Sequence, residues 1–91
     1  MTLQGLDPQH INPDVLEEMA VCWSMMGKPS EAAALFERAI KADPTGWVWV
    51  AGAARWRIKA GDPDAARRHL SRLRQINPRA EIIEQLEAQL D

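Results

Sequence analysis

Cysteine is nearly absent from this chain: Cys22 is the only one in 91 residues. No internal disulfide can form, so no oxidising compartment is implied. Flanked by Val21 and Trp23, Cys22 reads as a small buried hydrophobe rather than a nucleophile. Long apolar runs are missing too. None is longer than a run such as Trp47 to Ala51, far short of the roughly 18 residues that span a bilayer. The opening MTLQGLDPQH lacks a basic n-region and an apolar h-region. A cytoplasmic setting without membrane contact is therefore expected. Enzyme signatures are equally scarce. His10 and His69 fall outside any zinc-protease or Cys/His spacing, and no glycine-rich phosphate loop occurs. Asp62 and Asp64 in GDPDAA sit where carboxylates cap a helix and answer its dipole. No catalytic residue, metal or cofactor is expected.

What is present is an ordinary soluble composition, 46% hydrophobic and 26% charged, in a length that supports one small core. The net charge of −2 conceals blocks. Residues 1–44 carry three basic against seven acidic side chains, 45–79 eight against two, and 80–91 none against four. Such sectors steer encounters and select partners rather than direct folding.

The stretch TGWVWVAGAARW, residues 45–56, raises the main question of fold. WVWV alternates bulky β-formers and in isolation scores as a strand. An internal repeat decides otherwise. GKPSEAA at 27–33 is echoed by GDPDAAR at 61–67, and the offset of 34 also links Ala20 to Ala54, Ala32 to Ala66, Arg38 to Arg72 and Pro44 to Pro78. Glycine can cap one helix in the left-handed conformation, and proline costs no hydrogen bond in the first turn of the next. Each unit is therefore expected to be helix, turn, helix, which makes WVWV the start of a third helix.

The unit resembles the tetratricopeptide repeat, whose 34-residue pattern is W-x2-L-G-x2-Y, A-x3-F, then A and a closing P. Residues 13–46 supply Leu16, Met19, Ala20 and Trp23, then Ala32 and Phe36, then Ala39 and Pro44. Residues 47–80 fit more loosely: Val50, Ala53 and Ala54 are followed by Arg57 in the aromatic position, Ala66 and Leu70 replace A-x3-F, Leu73 replaces the closing alanine, and Pro78 is kept. The resemblance implies an all-α fold of antiparallel helix-turn-helix hairpins stacked as a short right-handed solenoid of about five helices. Its parts are an N-terminal extension (1–12), two repeats (13–46 and 47–80) and a C-terminal capping helix (79–91).

Helix openers are expected at Asn12–Pro13, Ser30, Thr45 or Gly46, Asp62–Pro63 and Asn77–Pro78. In the last helix Ile82, Ile83, Leu86 and Leu90 form an apolar stripe opposite Glu81, Glu84 and Glu87. The repeat offset carries Trp49 and Trp56 onto Ile83 and Leu90, the residues by which the cap docks. The two tryptophans should therefore pack against the first repeat. The same offset backwards reaches Val15 and Cys22, which no earlier repeat covers. Either Leu3, Leu6 and Ile11 fold over them, or a second copy or another protein does.

The resemblance further implies that the first helix of each hairpin lines a groove for a peptide or amphipathic helix of another protein. Carried over by repeat phase, the groove residues are Asp14, Glu17, Val21, Ser24 and Met25 from the first helix. Val48, Ala51, Gly52, Arg55 and Lys59 come from the third, and Ile82, Gln85 and Gln89 from the last. Glycine inside a helix costs about 1 kcal/mol relative to alanine. Gly52 therefore marks either close approach of another backbone or a bulky group, or relief of crowding beside Trp49 and Trp56. Asp14 and Glu17 do not suit a clamp for a free C-terminal carboxylate. An adaptor or an assembly or secretion chaperone is the function this implies. The alternative rests on Arg67, Arg68, Arg72, Arg74 and Arg79, which would engage nucleic acid or an acidic protein. Nucleic acid is the lesser reading, since no aromatic residues interleave this run and a solvated face is its commoner meaning.

Overall fold

The computed structural model describes residues 12–90. Any cover that Leu3, Leu6 and Ile11 provide lies outside the described residues. Five helices follow in order: α1 Pro13–Met25, α2 Pro29–Ala42, α3 Trp47–Lys59, α4 Pro63–Ile76 and α5 Ile82–Leu90. No strand occurs among the described residues.

The helix ends repeat as the sequence does. Gly27 and Gly61 adopt φ of 77° and 78°, the left-handed region in which a Cβ is costly. Each glycine closes its helix with the same pair of bonds. Lys28 N–H donates to the Trp23 carbonyl (2.9 Å) and Gly27 N–H to that of Ser24 (3.0 Å). Asp62 N–H donates likewise to the Arg57 carbonyl (2.9 Å) and Gly61 N–H to that of Ile58 (3.0 Å). The chain then enters the next helix at once through Pro29 or Pro63 in its first turn.

Two expected openers differ. The second helix begins at Pro29, with Lys28 as a cap residue that makes no side-chain cap bond, and Ser30 already lies inside the helix. The glycine cap leaves no room for a further loop residue. The fifth helix begins at Ile82 rather than beside Pro78. Asn77–Pro78 imitates a cap followed by a first-turn proline but is a turn, the counterpart of Asp43–Pro44. Ala80 N–H donates to the Asn77 carbonyl (3.1 Å) and Ile83 N–H to that of Ala80 (3.2 Å). Gly46 N–H to Asp43 and Trp49 N–H to Gly46, each 3.1 Å, are the same bonds one repeat earlier. Asn12 and Asp62 do cap with their side chains, accepting from Asp14 N–H (2.8 Å) and Ala65 N–H (3.3 Å).

Alanine sets the spacing within each hairpin. Ala20, Ala32, Ala54 and Ala66 are all fully buried, and a larger side chain at any of them would push paired helices apart. The core has two lobes. The first gathers Leu16, Ala33, Leu35, Phe36 and Ala39 from the first hairpin with Trp49, Ala53 and Trp56 from α3. The second gathers Val50, Ala54, Leu70 and Leu73 with Ile83 and Leu86 of the last helix. Trp49 and Trp56, 7% and 4% exposed, thus belong to the second repeat in sequence and to the first in packing. Trp49 also donates its indole N–H to Asp43 Oδ2 (3.2 Å), which pins the start of α3 to the end of α2.

Cys22 is exposed, contrary to the buried setting expected from its apolar neighbours. On α1 the core takes Leu16 and Ala20, and Cys22 falls on the outward stripe with Val15.

Candidate functional site

An open hollow of about 350 Å³ lies where α1, α3 and α5 present a common side. Its wall is Pro13, Asp14 and Glu17 from α1, Trp47, Val48, Ala51, Gly52 and Arg55 from α3, and Ile82 from α5, with the Phe36 ring of α2 at its base. Spacing on the helices explains the set. Residues 14 and 17, and residues 48, 51, 52 and 55, each recur at three or four positions and so share one face. Trp47 and Val48 are each 39% exposed, an apolar lip that water covers only at a cost.

Charge enters the hollow as a pair. Arg55 forms an ion pair with Glu17 across α1 and α3, with both side chains about one-third exposed. The Arg55 guanidinium also stacks over the Trp56 ring, 5.4 Å from its centroid, and Lys59 Nζ lies 5.2 Å from the same centroid. Asp14 is left at the α1 end as an exposed carboxylate with no ion pair among the described residues. The hollow therefore combines an apolar lip, a neutralised central pair and one exposed carboxylate, Asp14.

Seven of the sequence-derived groove residues, Asp14, Glu17, Val48, Ala51, Gly52, Arg55 and Ile82, meet in this hollow. Val21, Met25, Lys59 and Gln85 do not line it, nor do Ser24 and Gln89. Met25, at the end of α1, is 82% exposed, and Lys59 is drawn to Trp56. Repeat phase alone does not select Trp47, because it lies at the helix entrance. Its place four residues before Ala51 is the signal that could have found it.

Gly52 does answer to a bulky group in close approach, and that group is a side chain of the core itself. A Cβ there would come within 3.0 Å of three atoms of the Phe36 ring. Neither Trp49 nor Trp56 is the crowding neighbour. The glycine lets the Phe36 ring of α2 lie directly against the α3 backbone.

Elsewhere, Arg57, in the position where the repeat pattern has an aromatic, holds Glu37 in a two-pronged bond, Nε to Oε2 at 2.9 Å and Nη2 to Oε1 at 2.6 Å. His69 Nε2 meets Glu37 Oε2 at 2.8 Å, so that nitrogen carries the proton, since an ionised carboxylate only accepts. Burial pushes the Glu37 carboxyl upward. The hydrogen bonds and charges of Arg57 and His69 outweigh that, and its pKa lies below the ordinary 4.5. The bond to Glu37, opposed by partial burial, raises Arg57. The cluster ties α2, α3 and α4 together with polar groups in place of an aromatic wedge.

The α4 arginines are partly engaged by the protein itself. Arg67 lies 3.6 Å from Asp64, Arg74 pairs with Glu87 of α5, and Arg72 donates to the Pro44 carbonyl at 3.4 Å. Arg68 and Arg79 are exposed. Among the described residues no group of three or more His, Cys, Asp or Glu is placed to hold a metal ion, and no helix is long and apolar enough to cross a membrane.

Stacked helical hairpins with an open face define a helical-repeat protein. Residues 24–90 match the sequence model of the tetratricopeptide repeat, and the chain belongs to that family. No curated protein and no solved structure matches it. Repeats of this family generally mediate protein–protein interaction.

Proposed function

We propose that the chain binds a peptide or amphipathic helix of another protein in the hollow between α1, α3 and α5, as an adaptor or as an assembly or secretion chaperone. The observation that carries this reading is the apolar lip. Trp47 and Val48 stand open beside Ile82 and Ala51, next to the Glu17–Arg55 pair. An amphipathic helix laid there buries its apolar side on Trp47, Val48 and Ile82 and offers polar groups to Asp14 and Glu17. The arrangement suits recognition by shape and apolar contact, with Asp14 favouring a basic residue at one end of the ligand.

Affinity capture from the source cell, quantified by mass spectrometry, tests the assignment. Val48 is exposed, so Val48→Glu leaves the fold intact and places a charge in the lip. A protein recovered with the wild-type chain is expected to fall at least about tenfold with this variant, the equivalent of about 1.4 kcal/mol. It is expected to persist with Arg68→Glu. Equal recovery by wild type and Val48→Glu contradicts the reading. Loss with Arg68→Glu alone transfers the function to α4.

A further inference from the structure

Three apolar stripes share one repeat phase: Val15 and Cys22 on α1, Trp49 and Trp56 on α3, Ile83 and Leu90 on α5. The second and third are docking surfaces in use. Trp49 and Trp56 are buried in the first lobe of the core and Ile83 in the second, with Leu90 packed at its edge. Among the described residues, none covers the α1 stripe. Val15 is 49% exposed, Cys22 is exposed, and Met26 at 64% and Met25 at 82% extend the patch, with half-buried Met19 along its border.

We propose that this face docks a second copy of the chain, with α1 lying antiparallel to α1 about a two-fold axis through Cys22. The stripe continues a surface already used twice for helix packing, so a helix is the shape it fits. Head-to-tail growth has no acceptor in the last helix. The exposed side of α5 is Glu84, Gln85, Ala88 and Gln89, which is polar apart from one alanine. The α1 stripe, in contrast, is complementary to itself. Centred on Cys22, an antiparallel pairing sets Met19 level with Met25 of the partner subunit, with Met26 of the partner subunit one residue on, and Val15 level with Pro29 of the partner subunit. The small central side chain allows the two helices to approach closely.

Charge selects the direction. α1 carries Asp14 and Glu18 toward its start, and Lys28 follows its end. The antiparallel arrangement brings Lys28 of each copy level with Leu16 of the partner subunit, between Asp14 and Glu18 of the partner subunit, whereas a parallel arrangement sets Glu18 against Glu18. One helix on one helix buries less than the ~1,200 Å² of a standard stable interface. The dimer is therefore weak and concentration-dependent.

Sedimentation equilibrium of the full chain under reducing conditions, up to about 1 mM, where a millimolar Kd becomes visible, is expected to show a monomer–dimer equilibrium. A short bismaleimide should then link Cys22 to Cys22 in a yield that rises with concentration. A zero-length carbodiimide applied to mixed isotope-labelled and unlabelled chains should join Lys28 of one copy to Glu18 or Asp14 of the other. Val15→Glu with Met26→Glu alters only exposed side chains, so circular dichroism and melting should be unchanged while the dimer is lost. Val48→Glu should leave it intact, which keeps this result separate from that of the hollow. A monomer at every concentration overturns the proposal. A monomer whose Cys22 resists a thiol reagent does so in favour of cover by the chain's own N-terminal residues. A dimer that survives Val15→Glu with Met26→Glu, or that lacks the Lys28 cross-link between copies, also overturns it.

Discussion

Gly52 owes its place to one neighbour, the ring of Phe36, and that makes it a sensitive position. Gly52→Ala adds favourable helix propensity but drives a methyl into the ring, so the net effect is destabilising by about 1–3 kcal/mol. Replacing Phe36 by leucine in the same chain should shrink that penalty, and thermal melts of the four variants in a double-mutant cycle measure it. Glycine within a helix was legible as a demand for space. Which side chain demanded it was not, because the contact joins α2 and α3 through the angle at which the hairpins pack. The Glu37–Arg57–His69 cluster was hidden for the same reason. Arg57 showed in the sequence only as a departure from the repeat pattern, and Glu37, which joins the cluster, lies 20 residues from Arg57 and 32 from His69. Because Glu37 has its folded pKa below the ordinary 4.5, its contribution is present above the unfolded value and is lost as pH falls through the folded one. Glu37→Gln should therefore lower the melting temperature near neutrality, and its deficit relative to wild type should narrow as pH drops below 4.5. A constant deficit across that range counts against the ionised cluster.

The helical elements owe their ends to glycine and proline more than to side-chain caps. A Cβ added to Gly27 or Gly61 would meet nothing within 4 Å, so substitution there incurs only the backbone penalty. Gly61→Ala should cost about 1–2 kcal/mol, the strain of an L-residue in the left-handed region. Denaturant unfolding with an unchanged m-value measures it. The repeat made these ends readable, since glycine and proline recur in phase. The fifth helix shows the limit of that reading. Asn77–Pro78 has the local chemistry of a helix start, and only the phase relation to Asp43–Pro44, a turn, separates the two. The WVWV segment is the converse case. Its local alternation favours a strand, while Trp49, Ala53 and Trp56 fall in one lobe of the core and Val50 and Ala54 in the other, a recurrence at three and four residues that a helix provides and a strand does not.

At the scale of the whole molecule, the two repeats form one unit because α3 places Trp49 and Trp56 in the first lobe and Val50, Ala51 and Ala54 in the second. Trp56→Ala should cost about 3–5 kcal/mol, as large aromatic truncations in cores do, and should loosen the first hairpin from the remainder. Amide hydrogen exchange should then show α1 and α2 losing protection before α4. The helix order and the first-helix face were legible from repeat phase. The hollow's true extent was not, because helix crossing angles decide that Trp47 and Pro13 join it and that Met25, Lys59 and Gln85 stand aside. The central claim is that this hollow holds a segment of another protein. Amide chemical-shift mapping of the chain with a captured partner segment tests it most directly. The largest shifts are expected at Asp14, Glu17, Val48, Arg55 and Ile82, with α4 little changed; shifts concentrated on Arg67, Arg68 and Arg72 instead would contradict it.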